Sequence, residues 1–89
     1  MGNKFSNPIV VGRVITDPIL ECKNASKIIT SFKLSDTNSS KPFHIISHGK
    51  TASICKQYLH IGSLCCVEGK YSNSNDSIIA DRITFLKQW

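Results

Sequence analysis

Eighty-nine residues, 40% of them hydrophobic and 19% charged, have room for one domain that buries roughly 60–65% of the surface its unfolded chain exposes. Apolar runs such as residues 8–11 and 64–67 fall far short of the ~18–20 residues of a membrane helix, and no signal-peptide core follows Met1. Eleven Lys plus Arg against six Asp plus Glu give a net charge of +5 and a pI near 9.2, which favours an anionic partner, nucleic acid or a membrane surface, without choosing between them.

The first periodic segment, residues 8–15, is rich in β-branched side chains and ends at Thr16-Asp17-Pro18, a turn signal. It predicts strand one, with residues 19–23 as a short extended continuation. Residues 24–26 form a polar reversal and residues 27–35 predict strand two, in which Thr30, Phe32 and Leu34 share one face and Ser31, Lys33 and Ser35 the other. After a polar loop at 37–41, residues 42–48 predict strand three, with Phe43 and Ile45 inward and His44, Ile46 and His48 outward. The period then changes. Ala52, Cys55, Tyr58 and Leu59 recur at three and four, predicting a short amphipathic helix from Thr51 to about His60, with Thr51 as its cap and Gly62 in the left-handed position past its end. Residues 64–71 predict strand four with a bulge at Gly69. Residues 72–76 are a polar tip, and residues 77–86 predict strand five, with Phe85 inward alongside Phe32 and Phe43. The reading is thus all-β with one short helix, five strands and the helix between strands three and four. That is the element order of an OB-fold, a five-stranded partly open Greek-key barrel, over residues 1–89 with its core at about 7–86.

Cys22, Cys55, Cys65 and Cys66 lack the short clip spacing of a structural zinc site, so they are read as small buried hydrophobes plus one half-exposed thiol. Adjacent Cys65 and Cys66 on a strand face opposite ways. His44 and His48 lie about 13 Å apart on a strand, too far for one metal ion. No metal or cofactor is expected. The carboxylates show no paired spacing, and there is no phosphate-binding loop or nucleophile elbow, so the chain is not expected to be an enzyme.

Several stretches together resemble the bacterial and phage single-stranded DNA-binding proteins. They are Asn7-Pro8-Ile9-Val10-Val11-Gly12-Arg13-Val14 with Asp17-Pro18, Phe43-His44-Ile45-Ile46-Ser47-His48-Gly49-Lys50-Thr51-Ala52 and Tyr58-Leu59-His60-Ile61-Gly62-Ser63. Val67-Glu68-Gly69-Lys70 and Ala80-Asp81-Arg82-Ile83-Thr84-Phe85-Leu86 complete the set. The resemblance implies largely sequence-independent binding of single-stranded DNA in replication, recombination or mobile-element maintenance. It also implies a homodimer or homotetramer in the bacterial cytoplasm, nucleoid-associated, with replication or restart proteins as further partners and no membrane.

The chain departs from that family at the residues that stack bases. Ser40, Pro42, His48 and Asp76 stand at or near positions where family members carry aromatics, the loops at 37–41 and 72–76 are short, and no acidic tail follows residue 86. These departures resemble the primosomal PriB branch of the same lineage, a short tail-less OB-fold. They motivate an alternative: a degenerate OB-fold interaction module, a primosome or replication partner binder or an assembly subunit, with weak or no DNA binding.

An OB-fold binds oligonucleotides on the face of its second and third strands and with its rim loops. The candidate nucleic-acid-binding residues are therefore Arg13, Lys33, His44, His48, Lys50, Lys70 and Tyr71. The cations would neutralise phosphates and release counterions. The Tyr71 ring could stack a base or pack at the barrel rim, and protonation of the two imidazoles would add positive charge as the pH falls. Arg13, Lys33 and Lys70 are expected to line one groove. Phe5 and Trp89, near the ends of the chain, are candidates for contact with DNA or with another subunit.

Overall fold

Alternate residues of the first apolar segment turn inward: Val10, Gly12 and Val14 are buried, while Ile9, Val11 and Arg13 are exposed. The computed structural model describes residues 8–24, 27–36, 41–72 and 77–86. In chain order the elements are β1 (Ile9–Val14), β2 (Ile19–Asn24), β3 (Lys27–Asp36), β4 (Phe43–His48), α1 (Gly49–Tyr58), β5 (Leu64–Tyr71) and β6 (Ser77–Phe85). A period of two also runs through β3, β4, β5 and the first half of β6. The turns expected at 24–26, 37–41 and 72–76 fall largely outside the described residues, as do Phe5, Ser40, Asp76 and Trp89.

The sheet order is β1-β5-β6-β4-β3-β2, and a further β1–β3 pairing closes it. That closure makes β1, β3, β4, β6 and β5 a five-stranded barrel, the OB-fold architecture that the sequence predicts. What reads in the sequence as a continuation of strand one is a full strand. It pairs with the first part of β3, Ile19 opposite Ser31 and Cys22 opposite Ile28, while the last residues of β3 pair with β1, Val14 opposite Leu34 and Gly12 opposite Asp36. The two segments therefore share one ten-residue partner, and the break between them comes at the Asp17-Pro18 bend, where proline supplies no N–H. Across this break the Thr16 hydroxyl accepts the Lys33 amide at 2.9 Å. Counted by segments, the helix lies between β4 and β5.

The core comprises Val10, Val14, Phe32, Leu34, Ile45, Cys55, Leu59, Cys65, Val67, Ile78 and Ala80, with Phe43 and Ile83 packed against it. Each fully buried large aliphatic side chain contributes about 1.5–3 kcal/mol over leaving it exposed. One end of the barrel is covered by α1, whose Ala52 and Cys55 point inward. Among the described residues two polar side chains are fully buried, Thr30 and Ser47, and both are satisfied. The Thr30 hydroxyl donates to the Ala52 carbonyl at 2.8 Å. The Ser47 hydroxyl donates to the Thr30 carbonyl at 3.4 Å and lies 3.7 Å from the Cys55 sulfur. This short chain of contacts fastens α1 to β3 and β4 in a region where an unpaired polar group would cost about 1–3 kcal/mol.

Three local expectations are corrected. The helix starts at Gly49, two residues before Thr51, so Thr51 is no cap; His48 occupies the cap position and makes no side-chain capping bond. The helix ends at Tyr58 and Leu59 is already extended, although its N–H still donates to the Cys55 carbonyl. Gly62, at φ +96°, therefore belongs to the following turn, where its left-handed backbone is one that L side chains rarely adopt. Phe85 keeps its inward parity, opposite the buried Cys65, but is 41% exposed. It lies beyond the core and packs on the Tyr58 ring with centroids 6.0 Å apart.

The irregularity expected at Gly69 is present as a register shift, but the bulged strand is β6 and not that of Gly69. Glu68 pairs with Arg82 but Gly69 pairs with Ala80, so Asp81 is the extra residue. A Cβ on Gly69 would collide with the Ile79 carbonyl, and backbone on a paired strand cannot yield as a flexible side chain would. The close approach of β5 and β6 at this point requires glycine.

Cys65 and Cys66 face opposite ways as expected, Cys65 buried and Cys66 half-buried; the expectation of a single thiol outside the core is corrected by Cys22, which is exposed as well. Burial pushes the Cys65 thiol up to about 12, with the neighbouring Cys55 and Cys66 adding to the effect. Burial also raises the Cys55 thiol, against the opposing hydrogen bond from Ser47. Both are core thiols held in the neutral form.

Candidate nucleic-acid interface

The outward positions of β3 and β4 meet in register. Lys33 lies directly opposite His44, Ser31 opposite Ile46 and Ile29 opposite His48, and facing residues on paired strands share a side of the sheet. The parallel pairing of β4 with β6 carries the rows onward, His44 to Ser77 and Ile46 to Ile79. From there β5 extends the second row, because Lys70 pairs with Ile79, and at its other end Ile19 of β2 pairs with Ser31.

Two adjacent rows therefore cross the outside of the barrel. One runs Lys33–His44–Ser77, and the other runs Ile19–Ser31–Ile46–Ile79–Lys70. With strands about 4.7–4.9 Å apart, the five-membered row is about 19 Å long. Lys33, His44 and Lys70 are exposed, and Ser31, Ile46, Ser77 and Ile79 are half-buried. The face thus joins a cationic edge to an uncharged floor. Two residues further along β4 the face ends at exposed His48, which shares a depression of about 430 Å³ with Lys27, Ile28, Ile29 and Gly49. Lys50 follows in the first turn of α1, where no acidic side chain offsets the positive end of the helix.

The candidate residues do not all lie together. Lys33 and His44 are immediate neighbours, and Lys70 joins them through the Ile46–Ile79 pair. His48 and Lys50 form the lower margin. Tyr71, 52% exposed, sits at the end of β5 opposite Ile78, so its ring lies at the barrel rim on the other side of the strand from Lys70. Arg13 stands on β1, the strand beside the end of β3, in the row next to that of Lys33. It pairs with Ser35 on one side and Leu64 on the other, and its guanidinium donates to the Gly62 carbonyl at 2.9 Å.

Some residues that shape the site carry no signal of it in the sequence. Ile79 reads as one more apolar residue of a strand, and only its register with Ile46 and Lys70 places it in the floor. Asp17 reads as a turn former, yet its carboxylate also accepts the Ile61 amide at 3.3 Å, 44 positions away. Lys56 is likewise engaged, donating to the Pro18 carbonyl at 3.1 Å. Among the described residues no group of three or more His, Cys, Asp or Glu side chains could hold a metal ion, and no helix is long and apolar enough to cross a membrane.

No protein-family model and no curated protein sequence matches the chain. Solved structures do match in shape. The SSB domain of a Synechococcus protein superposes with a TM-score of 0.79 at 11% identity, over 90% of this chain and 94% of that one. A small single-stranded DNA-binding protein from Streptomyces coelicolor gives 0.77 at 20% identity, over 89% and 90%. The mitochondrial single-stranded DNA-binding protein Rim1 of S. cerevisiae gives 0.78 at 18% identity, over 96% and 98%. The fold is therefore an OB-fold of the kind found in single-stranded DNA-binding proteins.

Proposed function

We propose that this chain is a non-catalytic, largely sequence-independent single-stranded DNA-binding protein that uses the outer face of β3, β4, β6 and β5. The observation that carries this reading is the pair of cross-strand rows, which set Lys33 and His44 beside an uncharged floor ending in Lys70. Cations at the edge neutralise phosphates, and the half-buried floor receives bases. His48 and Lys50 extend the positive margin toward the uncapped start of α1, Tyr71 offers a ring at the rim, and Arg13 adds charge on the neighbouring flank while bracing the Gly62 turn. Likeness in shape to proteins described as single-stranded DNA-binding supports the same reading.

The role that fits is replication, recombination or mobile-element maintenance in the bacterial cytoplasm, in contact with replication or restart proteins. A homodimer or homotetramer is in keeping with exposed Ile9 and Val11 on β1, which lie opposite Glu68 and half-buried Cys66.

The test is fluorescence titration with poly-dT at about 50 and 200 mM salt. Single-stranded binding follows a salt slope of about −0.7 per neutralised phosphate, so three or four contacts predict a roughly 20–50-fold loss of affinity between the two conditions. Absence of binding at the lower salt would overturn the reading. It would favour the alternative, an interaction module of the primosomal kind, which the lack of aromatic side chains along the two rows supports.

A further inference from the structure

The middle of the five-membered row is aliphatic. Ile46 and Ile79 are register partners, both half-buried, with Ser31 on one side and Lys70 on the other. Ile19, at the end of the same row, is 62% exposed. An aliphatic platform lacks the π-face on which an aromatic side chain stacks any base equally well. Its gain comes from apolar area removed from water, and among the DNA bases thymine offers the most compact apolar group, its 5-methyl, which proteins read by contact with apolar side chains. The flanking polar groups do not offset this bias, because Lys33 and Lys70 meet phosphates of any sequence.

We propose that the Ile46–Ile79 pair makes this face prefer thymine, by packing against the 5-methyl group of a base laid across β4 and β6. The proposal rests on the binding face described above and adds a base preference to it. The row length of about 19 Å suits a site at the short end of the roughly 4–16 nucleotides bound per OB-fold, so few bases share the platform and the preference is not diluted over a long strand.

The experiment compares oligodeoxythymidine with oligodeoxyuridine of equal length, which differ only in the 5-methyl, on the wild-type chain and on Ile46→Ser and Ile79→Thr. Burial of one methyl, about 0.8 kcal/mol, corresponds to about fourfold in affinity. The wild type is expected to bind the thymidine strand about 4–16-fold more tightly, the upper figure applying if a second methyl also rests on the row. Each variant, with its fold checked by circular dichroism, should lose most of that ratio, which is read between the two strands on the same variant and so holds whatever the change in its affinity for both. Equal wild-type affinity for the two strands overturns the thymine preference and leaves DNA binding standing. A preference that survives intact in both variants removes the Ile46–Ile79 pair as its cause. Failure to bind either strand overturns the DNA-binding reading and this inference with it.

Discussion

Neighbouring residues of β4 live in different worlds. Ile45 is fully buried and belongs to the core, while His44 and Ile46 on either side of it face outward in the two rows. The same holds on β3, where Phe32 and Leu34 are buried and Lys33 between them is exposed. Inside, packing density decides which side chains are tolerated. Outside, charge and the shape of a partner decide. Because the two criteria act on alternate residues of one strand, stability and binding should be separable by single substitutions.

The sharpest test of that separation is Ile45→Ala. Removing a fully buried side chain should cost about 2–5 kcal/mol, against about 1 kcal/mol for Ile46→Ala next to it, measured as midpoints of urea unfolding. Comparable losses at the two positions would break the contrast between the faces. A second test uses pH. Cys65 is held at about 12 against an ordinary 9.0, so the folded state keeps its proton where the unfolded state loses it. This contribution is fully present below about pH 9 and is lost as the pH rises toward about 12, so raising the pH from about 8 to 10 should lower stability by about 1 kcal/mol. Cys65→Ala should remove that part of the pH dependence in urea titrations at the two values. The smallest effect on folding belongs to the outer face. Lys33→Ala combined with Lys70→Ala should change stability by no more than about 0.5 kcal/mol, yet reduce the magnitude of the salt slope of poly-dT binding by about 1.4. An unchanged slope would show that the row ends do not touch phosphate.

How much of this could be read in the sequence follows from the range of each signal. Alternation in residues 27–35 and 42–48 assigned the inner and outer faces correctly, because a period of two is local. The irregularity at Gly69 was legible for the same reason, a glycine interrupting a strand pattern, but that its extra residue is Asp81 on the partner strand was not. The helix was found but displaced by two residues at each end, since its N-terminal cap makes no side-chain bond that Thr51 would have announced. Phe85 was misjudged because parity says which way a side chain points but not whether core lies above it; here the cover is Tyr58. The placing of Arg13 and His44 beside Lys33, and of Lys70 three strands away from it, depends on register across strands far apart in the chain. No local pattern encodes that.

The turn that follows α1 is tied to the beginning of the barrel from several directions. Gly62 donates to the Val14 carbonyl, Arg13 reaches the Gly62 carbonyl across 49 positions, and Asp17 receives Ile61 across 44. Each tie closes a loop of about half the chain, and β1 finds β5 only over a similar span. Chains dominated by such non-local pairings search longer before contacts compensate the entropy of closure, which places refolding in the millisecond-to-second range rather than the microseconds of a helical bundle. During that search the apolar flank of β1 waits unpaired, so a newly made chain is most exposed to wrong partners at its own first strand.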